Sequence, residues 1–172
     1  PVMQGARDLG ITAPIFLVGS CAAPSIIAEA GPAASEGRIF NIEGRIEAEA
    51  GSTEEVDGPL YNLAILKYGD GRAPDGAGTV SFRGLMNLYA VMTSIGAEDL
   101  TSAAIIDAFR SSVDVPSFNG HPYTCATPQV PGLPALCAPE QVLVEQRDGS
   151  LTEVSDGWVP VPDILEEVGV GG

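Results

Sequence analysis

Residues 15–37, IFLVGSCAAPSIIAEAGPAASEG, decide how this chain folds. The first four residues of this stretch are apolar and precede a turn of small residues, which predicts a buried parallel strand covered on both faces. A short helix is expected next, because Pro24 stands at its start and Gly31 at its end. Ligands of open α/β sheets lie beyond the carboxyl ends of the strands. Any binding or catalytic chemistry is therefore expected in the turn formed by Gly19, Ser20, Cys21 and Ala22.

The composition limits the possible partners. The 172 residues suffice for one domain or two small lobes, and 45% of them are hydrophobic. No apolar run approaches the roughly 18 residues that a membrane helix requires. The net charge of −15, from 23 acidic and 8 basic side chains, repels phosphate backbones, so no nucleic-acid partner is expected. The densest acidic segment, residues 43–57, is interpreted as solvated surface, with calcium binding as the alternative.

The first residues predict a helix that no strand precedes. Apolar side chains recur there at helical spacing, at Val2, Met3, Ala6 and Leu9. A helix that leads into a parallel strand normally follows an earlier strand of the same sheet. We therefore expect this chain to be a fragment of a longer protein.

A strand, a helix and a connector are expected between residues 38 and 76. Residues 38–42 have a strand pattern, and Ser52 with Glu55 forms a possible capping box. A helix should begin at Pro59 and bury one face, formed by Leu60, Leu63, Ala64 and Ile65. Residues 69–76 are rich in glycine, proline and aspartate and predict an exposed connector between lobes.

Two adjacent helices are predicted in the second half of the chain. The helix over residues 82–95 has an apolar stripe of Leu85, Leu88, Met92 and Ile95. A second helix starts at Thr101 and should bury Ile105, Ala108 and Phe109. No strand pattern separates the two helices, so both are expected to pack on a sheet formed by residues outside this chain.

The last third predicts a long loop and then a hairpin. Residues 115–139 contain six prolines, too many for regular structure. Residues 141–147 then alternate in the manner of a strand, and residues 151–154 return as a partner strand across a turn at Asp148-Gly149.

Two cysteines enclose much of the proline-rich loop. Cys125 and Cys137 enclose eleven residues of a proline-rich loop that has little core of its own. A disulfide at this place would add roughly 2–4 kcal/mol of stability and would indicate an oxidising compartment. Metal binding is the alternative, but neither a CxxC pair nor a second histidine supports it.

Cys21 is the most reactive residue type in the predicted turn. A cysteine near a helix N-terminus can act as a nucleophile, and His121, the only histidine, would have to be its base. The alternative is that Cys21 is a half-buried apolar residue and His121 a surface residue. Four other side chains could contact a ligand or could simply pack or be exposed: Arg83, Tyr89, Tyr123 and Trp158.

Four stretches, taken in order, resemble the C-terminal half of a known family. They are ARDLGITAPIFLVGS (residues 6–20), AGPAASEGRIF (30–40), the helical segment beginning GTVSFRGLMNLYAV (78–111), and FNGHPYTC to PALC with the closing QVLVEQRDGSLTEVSDGW (118–158). Their order and spacing are similar to those of type I periplasmic solute-binding proteins, the branched-chain amino-acid (Leu/Ile/Val) receptor group of ABC transporters. The resemblance covers most of the chain.

The resemblance implies a two-lobed α/β fold of the Venus-flytrap type, with parallel Rossmann-like sheets, present here as a C-terminal fragment. Residues 1–76 and 138–172 would form lobe 2, and residues 77–137 would belong to lobe 1. The hinge would include Gly78, Val80 and Ser81. A small polar solute, an amino acid or a related organic acid or amide, would bind between the lobes against Gly19, Ser20, Cys21 and Ala22. The family often has a carboxylate at the position of Ser20-Cys21, and its absence here favours a less cationic ligand.

The resemblance also implies partners and a location. It implies an ABC permease as partner, an extracytoplasmic location (periplasmic or as a cell-surface lipoprotein), and neither enzymatic activity nor a cofactor or metal ion. A fragment of this kind is expected to self-associate or to retain a cleaved N-terminal half. Two other functions remain open, a ligand-sensing domain of a receptor or regulator on the same fold, and a hydrolase that uses Cys21 as nucleophile.

Overall fold

The computed structural model describes residues 1–44, 54–72, 74 and 76–169, and it describes only the backbone of residues 54, 55 and 76–78. Most of the acidic segment lies outside the described residues, and so do Ser52 and the side chain of Glu55, which form the predicted capping box. Among the described residues the helices are α1 (Val2–Asp8), α2 (Pro24–Ala30), α3 (Pro32–Ser35), α4 (Glu54–Tyr68), α5 (Gly76–Ile95), α6 (Ser102–Arg110) and α7 (Val161–Glu167). The strands are β1 (Phe16–Val18), β2 (Ile39–Ile42), β3 (Val115–Ser117), β4 (Gly120–Tyr123), β5 (Val142–Arg147) and β6 (Ser150–Glu153).

A four-stranded mixed sheet organises the first and last parts of the chain. Its strand order is β1-β2-β5-β6, with β1 and β2 parallel and the other two pairs antiparallel. Strand β5 lies directly against β2, and Phe40 faces Val144 in the register. The predicted strands 15–18 and 38–42 and the predicted hairpin 141–154 are therefore all present, and they belong to one sheet.

The core lies on one face of this sheet. Phe40, Val142 and Val144 are fully buried there, and small or flexible side chains of the neighbouring helices cover them, namely Met3, Ala30 and Ala34. Small side chains occupy little space between a helix and the sheet, so helices α1, α2 and α3 can approach the sheet closely and still fill the interior. Trp158, which follows β6 in the chain, packs against the same cluster.

Strand β1 lies at the edge of the sheet, and the expectation that it is covered on both faces is wrong. Phe16 and Val18 are 63% and 62% exposed, whereas Leu17 packs against the core. Alternate residues of a strand point to opposite faces, so one face of β1 is covered and the other is exposed within the described part of the chain.

Helices α4 and α5 are longer than predicted and bury different residues. Helix α4 begins before Pro59 and buries Tyr61. The predicted inward face is wrong for Leu60 and Leu63, which are 44% and 64% exposed, whereas its other two residues, Ala64 and Ile65, are half-buried. The Tyr61 ring contacts that of Phe82 on α5, at a centroid distance of 5.3 Å. An aromatic ring buries more area than a leucine, and this contact decides which side of α4 faces inward.

Helix α5 begins at Gly76 rather than near Phe82, and its predicted stripe is only partly buried. Val91 is buried, and Leu88, Met92 and Ile95 are half-buried, but Leu85 is 62% exposed. Helix α6 follows after Thr101, whose hydroxyl oxygen accepts a hydrogen bond from the Ala104 amide at 3.1 Å and caps the helix.

The prediction of an irregular loop over residues 115–139 is wrong for its first part. Strands β3 and β4 pair there as a separate antiparallel hairpin, with Val115 opposite Tyr123 and Ser117 opposite Gly120. Both strands contain a proline, which an isolated two-stranded hairpin tolerates because the outward-facing side of each strand needs no backbone hydrogen bonds. The turn between the strands has Asn119 at a positive φ of 45°.

Candidate functional site

The carboxyl ends of β1 and β2 meet at one edge of the sheet. The two strands are parallel, and Val18 pairs with Asn41, so the segments that follow them emerge side by side. The first segment is a 3₁₀ turn, Gly19–Ala22, and the second contains Glu43 and Gly44. A Cβ atom on Gly19 would lie 2.5 Å from the Asn41 carbonyl oxygen, so only glycine allows this approach.

The predicted ligand-binding residues differ in how accessible their side chains are. Ser20 is exposed, Cys21 is half-buried against the core cluster, and Ala22 is only 8% exposed. A ligand at this edge would meet the Ser20 hydroxyl and the backbone of the turn. The assignment of Gly19, Ser20, Cys21 and Ala22 to ligand binding stays a prediction.

Cys21 and His121 belong to different surroundings. Cys21 is a free thiol packed against the core, whereas His121 contacts Glu140, Pro122 and Trp158. No hydrogen bond joins the two residues in the described part of the structure. The geometry therefore gives no support to the hydrolase alternative, which requires a base within hydrogen-bond reach of the thiol.

Arg83 on α5 connects the carboxyl end of β2 to the hairpin. Its Nη1 donates to the Glu43 main-chain carbonyl oxygen at 2.5 Å, and its Nη2 pairs with the Glu43 carboxylate. The guanidinium also lies against Gly120, where a Cβ would stand 3.3 Å from both the Cδ and the Nη1 of Arg83. Three parts of the fold, β2, α5 and β4, are thereby joined through one side chain.

A second polar contact holds the hairpin turn to α5. The Asn87 side chain donates from Nδ2 to Ser117 Oγ at 2.9 Å and accepts from the Phe118 amide at 2.8 Å. The Asn119 amide donates to Asp57 Oδ2 at 2.6 Å, which ties the same turn to α4. Because both functional groups of Asn87 are used, the hairpin has a defined position on the helices.

His121 lies between the hairpin and the start of β5. Its Nδ1 is 3.1 Å from Glu140 Oε2 and 2.8 Å from the Pro122 carbonyl oxygen. Both neighbours are hydrogen-bond acceptors. In the neutral ring the proton is therefore on Nδ1, which donates a hydrogen bond to these two oxygens. The ring packs edge-on against Trp158 at a centroid distance of 5.3 Å.

These contacts surround a cavity of about 340 Å³. One part of its wall is apolar and consists of Phe109, Tyr123, Leu136 and the disulfide of Cys125 and Cys137. Another part is polar and carries Glu43, Arg83, His121, Glu140 and Gln141. The predicted ligand-binding turn and the predicted hinge residues are not in this wall.

Tyr123 is the most buried aromatic side chain in the cavity wall. It is 7% exposed, and its ring packs against Phe109 at a centroid distance of 5.9 Å. Within the described residues its hydroxyl has no hydrogen-bond partner. Burial raises the pKa of the Tyr123 hydroxyl above its ordinary value of 10.0, because the phenolate would lose its hydration.

The predicted disulfide is confirmed. Cys125 and Cys137 are bonded, and Cys21 is the free cysteine. The Thr124 amide donates to the Cys137 carbonyl oxygen at 2.9 Å, and the Ser112 carbonyl oxygen accepts from Cys125 and Ala126. The disulfide therefore fastens the loop between β4 and β5 at the side of the cavity.

The predicted hinge residues lie at the beginning of a helix. Gly78, Val80 and Ser81 fall within the first turns of α5, close to the predicted lobe boundary at residue 77. The hinge and the division into lobes stay predictions.

Sequence reasoning missed the contribution of Glu43, Asn87 and Glu140 to this region. The rule that pointed to Gly19–Ala22, the carboxyl end of a parallel strand, applies equally to β2 and would have indicated Glu43. Asn87 and Glu140 carry no comparable local signal, since their roles depend on partners more than ten residues away in the chain.

Metal binding has no support in the described residues. No group of three or more histidine, cysteine, aspartate or glutamate side chains that could hold a metal ion occurs among them. In the same part of the chain, no helix combines the length and the apolar character needed to cross a membrane.

Comparisons with known proteins identify the architecture. No protein-family model matches the sequence, and no curated protein matches it. Solved structures do match. A leucine-binding protein, LivK, from Thermotoga maritima superposes with a TM-score of 0.60 at 18% identity over 90% of this chain. The chain has the type I periplasmic-binding-protein fold.

Another structure of this fold is a branched-chain amino acid ABC transporter protein from Thermus thermophilus with bound valine. It matches with a TM-score of 0.59 at 18% identity, again over 90% of this chain. This chain spans only 40% and 41% of the lengths of these two type I periplasmic-binding-protein structures. The likeness therefore establishes the fold of the part present here.

Proposed function

We propose that this chain is the C-terminal part of a solute-binding protein that delivers a small polar solute to an ABC permease outside the cytoplasm. The main support for this proposal is that 90% of the chain superposes on a leucine-binding protein and on a transporter protein with bound valine. Binding of the solute would require no catalysis, no cofactor and no metal ion.

The sheet arrangement supports the proposed division into two lobes. Strands β1, β2, β5 and β6 form one sheet from residues on both sides of the segment 77–137, while that segment contributes α5, α6 and the separate hairpin. Residues 1–76 and 138–172 would then move as lobe 2, with Gly78, Val80 and Ser81 at the hinge. Closure of such lobes around a ligand is the usual conformational change of this architecture.

The proposed solute contacts the carboxyl edge of β1. Ser20 offers an exposed hydroxyl there, and the nearest acidic residue at the same edge, Glu43, is paired with Arg83. A solute bound at this edge would meet hydrogen-bonding groups rather than an unpaired carboxylate. This favours an organic acid, an amide or an amino acid whose ammonium group is bound by other parts of the protein.

Calorimetric titration of the chain with L-leucine, 2-hydroxyisocaproate and the uncharged amide 4-methylpentanamide tests this function. Binding of at least one of them is expected, with dissociation constants of about 1 mM, since the chain supplies one side of the cleft. Ser20→Trp should abolish the binding by filling the edge, and Ser25→Trp, an exposed serine on α2, is the matched control.

Two results would contradict the proposal. The first is the absence of binding for every compound of these three classes. The second is an equal loss of binding in the Ser20→Trp and Ser25→Trp variants, because a general effect on folding would then explain it.

A further inference from the structure

We propose that the cavity between α5, the β3–β4 hairpin and the disulfide is a second ligand site, and that it accepts a small organic amine with an apolar body. This site is distinct from the proposed ligand-binding turn, because none of Gly19, Ser20, Cys21 and Ala22 is in its wall, although Glu43 at the neighbouring strand end lines it.

The size and the wall of the cavity suit a small molecule. Its volume of about 340 Å³ lies at the lower end of the range for ligand pockets. The wall includes Phe109, Tyr123, Leu136 and the disulfide, with the Phe109 and Tyr123 rings in contact, and these groups would cover an aromatic or branched aliphatic body. The disulfide and the Asn87 contacts hold this wall in place before a ligand arrives.

The charges in the wall favour a cation. Arg83 pairs with Glu43, so the positive charge of one compensates the negative charge of the other. The remaining carboxylate, Glu140, is 14% exposed at its side chain, and its partner His121 carries no charge when the ring is neutral. With a neutral His121 ring, Glu140 is the one uncompensated charge among the charged wall residues Glu43, Arg83 and Glu140, and a ligand ammonium group would pair with it through a charge-assisted hydrogen bond.

The Tyr123 hydroxyl supplies a second, independent indication of a ligand. A buried hydroxyl normally has a hydrogen-bond partner, since leaving it without one costs free energy. Tyr123 is 7% exposed and lines the cavity, and no described residue bonds its hydroxyl. An N–H group of a bound amine would supply the hydrogen-bond donor that this oxygen lacks.

The test uses 2-phenylethylammonium as the probe and the fluorescence of Trp158 as the readout. Trp158 is the only tryptophan and its ring contacts His121, the partner of Glu140. The probe is expected to bind in a saturable manner. The neutral analogue 2-phenylethanol and the anionic analogue 3-phenylpropanoate should bind at least roughly tenfold more weakly, because the alcohol cannot form an ion pair with Glu140 and the second carboxylate is repelled by it.

Two variants with matched controls locate the bound amine. Glu140→Gln should weaken probe binding roughly tenfold, and Glu98→Gln, which changes an exposed acid elsewhere, should leave it unaltered. Tyr123→Phe should weaken it about threefold to tenfold, with Tyr89→Phe as the exposed control. Circular dichroism checks that each variant is folded.

The proposal is overturned if the ammonium probe shows no saturable binding up to about 10 mM, where even weak sites are occupied. It is equally overturned if the anionic analogue binds as well as the ammonium, or if folded Glu140→Gln and Glu98→Gln variants bind the probe alike.

Discussion

Arg83 and Glu43 are forty residues apart in the chain, and the Arg83 guanidinium bonds both the main-chain carbonyl oxygen and the carboxylate of Glu43. The Arg83 side chain is only 20% exposed, so solvent weakens the interaction less than at an open surface. This pair joins the carboxyl end of β2 to the beginning of α5, close to the proposed hinge.

Replacing Arg83 tests how strongly this contact holds the two parts together. Arg83→Ala is expected to lower the free energy of unfolding by about 1–2 kcal/mol, because a charge-assisted hydrogen bond and a partly buried ion pair are lost. Arg83→Lys should recover little of it, since an ammonium group cannot reach both oxygens in the same geometry. Urea unfolding measures the difference, with the exposed Arg72→Ala as control. Equal stabilities of the Arg83→Ala and Arg72→Ala variants would contradict the assignment.

Gly19 tests the close approach of the two strand ends. A Cβ at this position would lie 2.5 Å from the Asn41 carbonyl oxygen, a main-chain atom that cannot move without distorting β2. Gly19→Ala should therefore destabilise the fold by about 2–3 kcal/mol.

Gly84→Ala is the matched control for this substitution. Gly84 lies on α5, and a Cβ there meets no atom within 4 Å. The alanine should stabilise the protein by about 0.5–1 kcal/mol, because it restricts the unfolded chain and favours the helix. Thermal or urea unfolding of the two variants should shift in opposite directions, and a shift in the same direction would show that the edge is less closely packed than described.

The disulfide should contribute to stability through the loop that it closes. Its cysteines are 12 positions apart, and reduction is expected to cost about 2–4 kcal/mol. Thiol counting in denaturant without reductant should give one free thiol per chain, that of Cys21. A count of three would contradict the bond between Cys125 and Cys137, and an unchanged unfolding midpoint after reduction would contradict its stabilising role.

The buried Tyr123 hydroxyl is expected to lower the free energy of unfolding at alkaline pH. Burial raises the pKa of its hydroxyl in the folded protein above the ordinary value of 10.0, so the unfolded chain releases this proton at lower pH than the folded one. The contribution of Tyr123 to stability is therefore fully present below about pH 10 and is lost as the pH rises through the folded-state pKa. Urea unfolding between roughly pH 8 and pH 11 measures this loss. It should be smaller in Tyr123→Phe and unchanged in Tyr89→Phe, and identical pH profiles of both variants would refute it.

Exposed apolar side chains on α4 and α5 predict self-association of the chain. Leu63, Leu66, Leu85 and Tyr89 are each more than 60% exposed. Covering one such side chain gains roughly 1.5–3 kcal/mol, which favours contact between copies at micromolar concentration. Sedimentation should show association that Leu85→Glu weakens, while Leu9→Glu, on the exposed end of α1, should not. A monodisperse species of 17.7 kDa would argue against self-association.

Local patterns in the sequence determined most of the helices and strands. The β5–β6 hairpin follows from the alternating strand pattern before the turn at Asp148 and Gly149, both of which adopt the positive φ that such a turn requires. The proline that begins α2 and the glycine that follows it define that helix in the same way. These features depend on neighbours only a few residues apart, so the sequence is sufficient to predict them.

Which residues are buried, and which meet in the candidate sites, was decided only by the tertiary structure. Tyr61 rather than Leu60 faces inward because a ring of α5 lies opposite it, and Phe16 is exposed because no described element covers its face of β1. The Arg83–Glu43 and His121–Glu140 pairs join segments that are distant in the chain. Periodicity determines which residues share a face of a helix or strand, but the element that packs against this face depends on the topology of the whole chain.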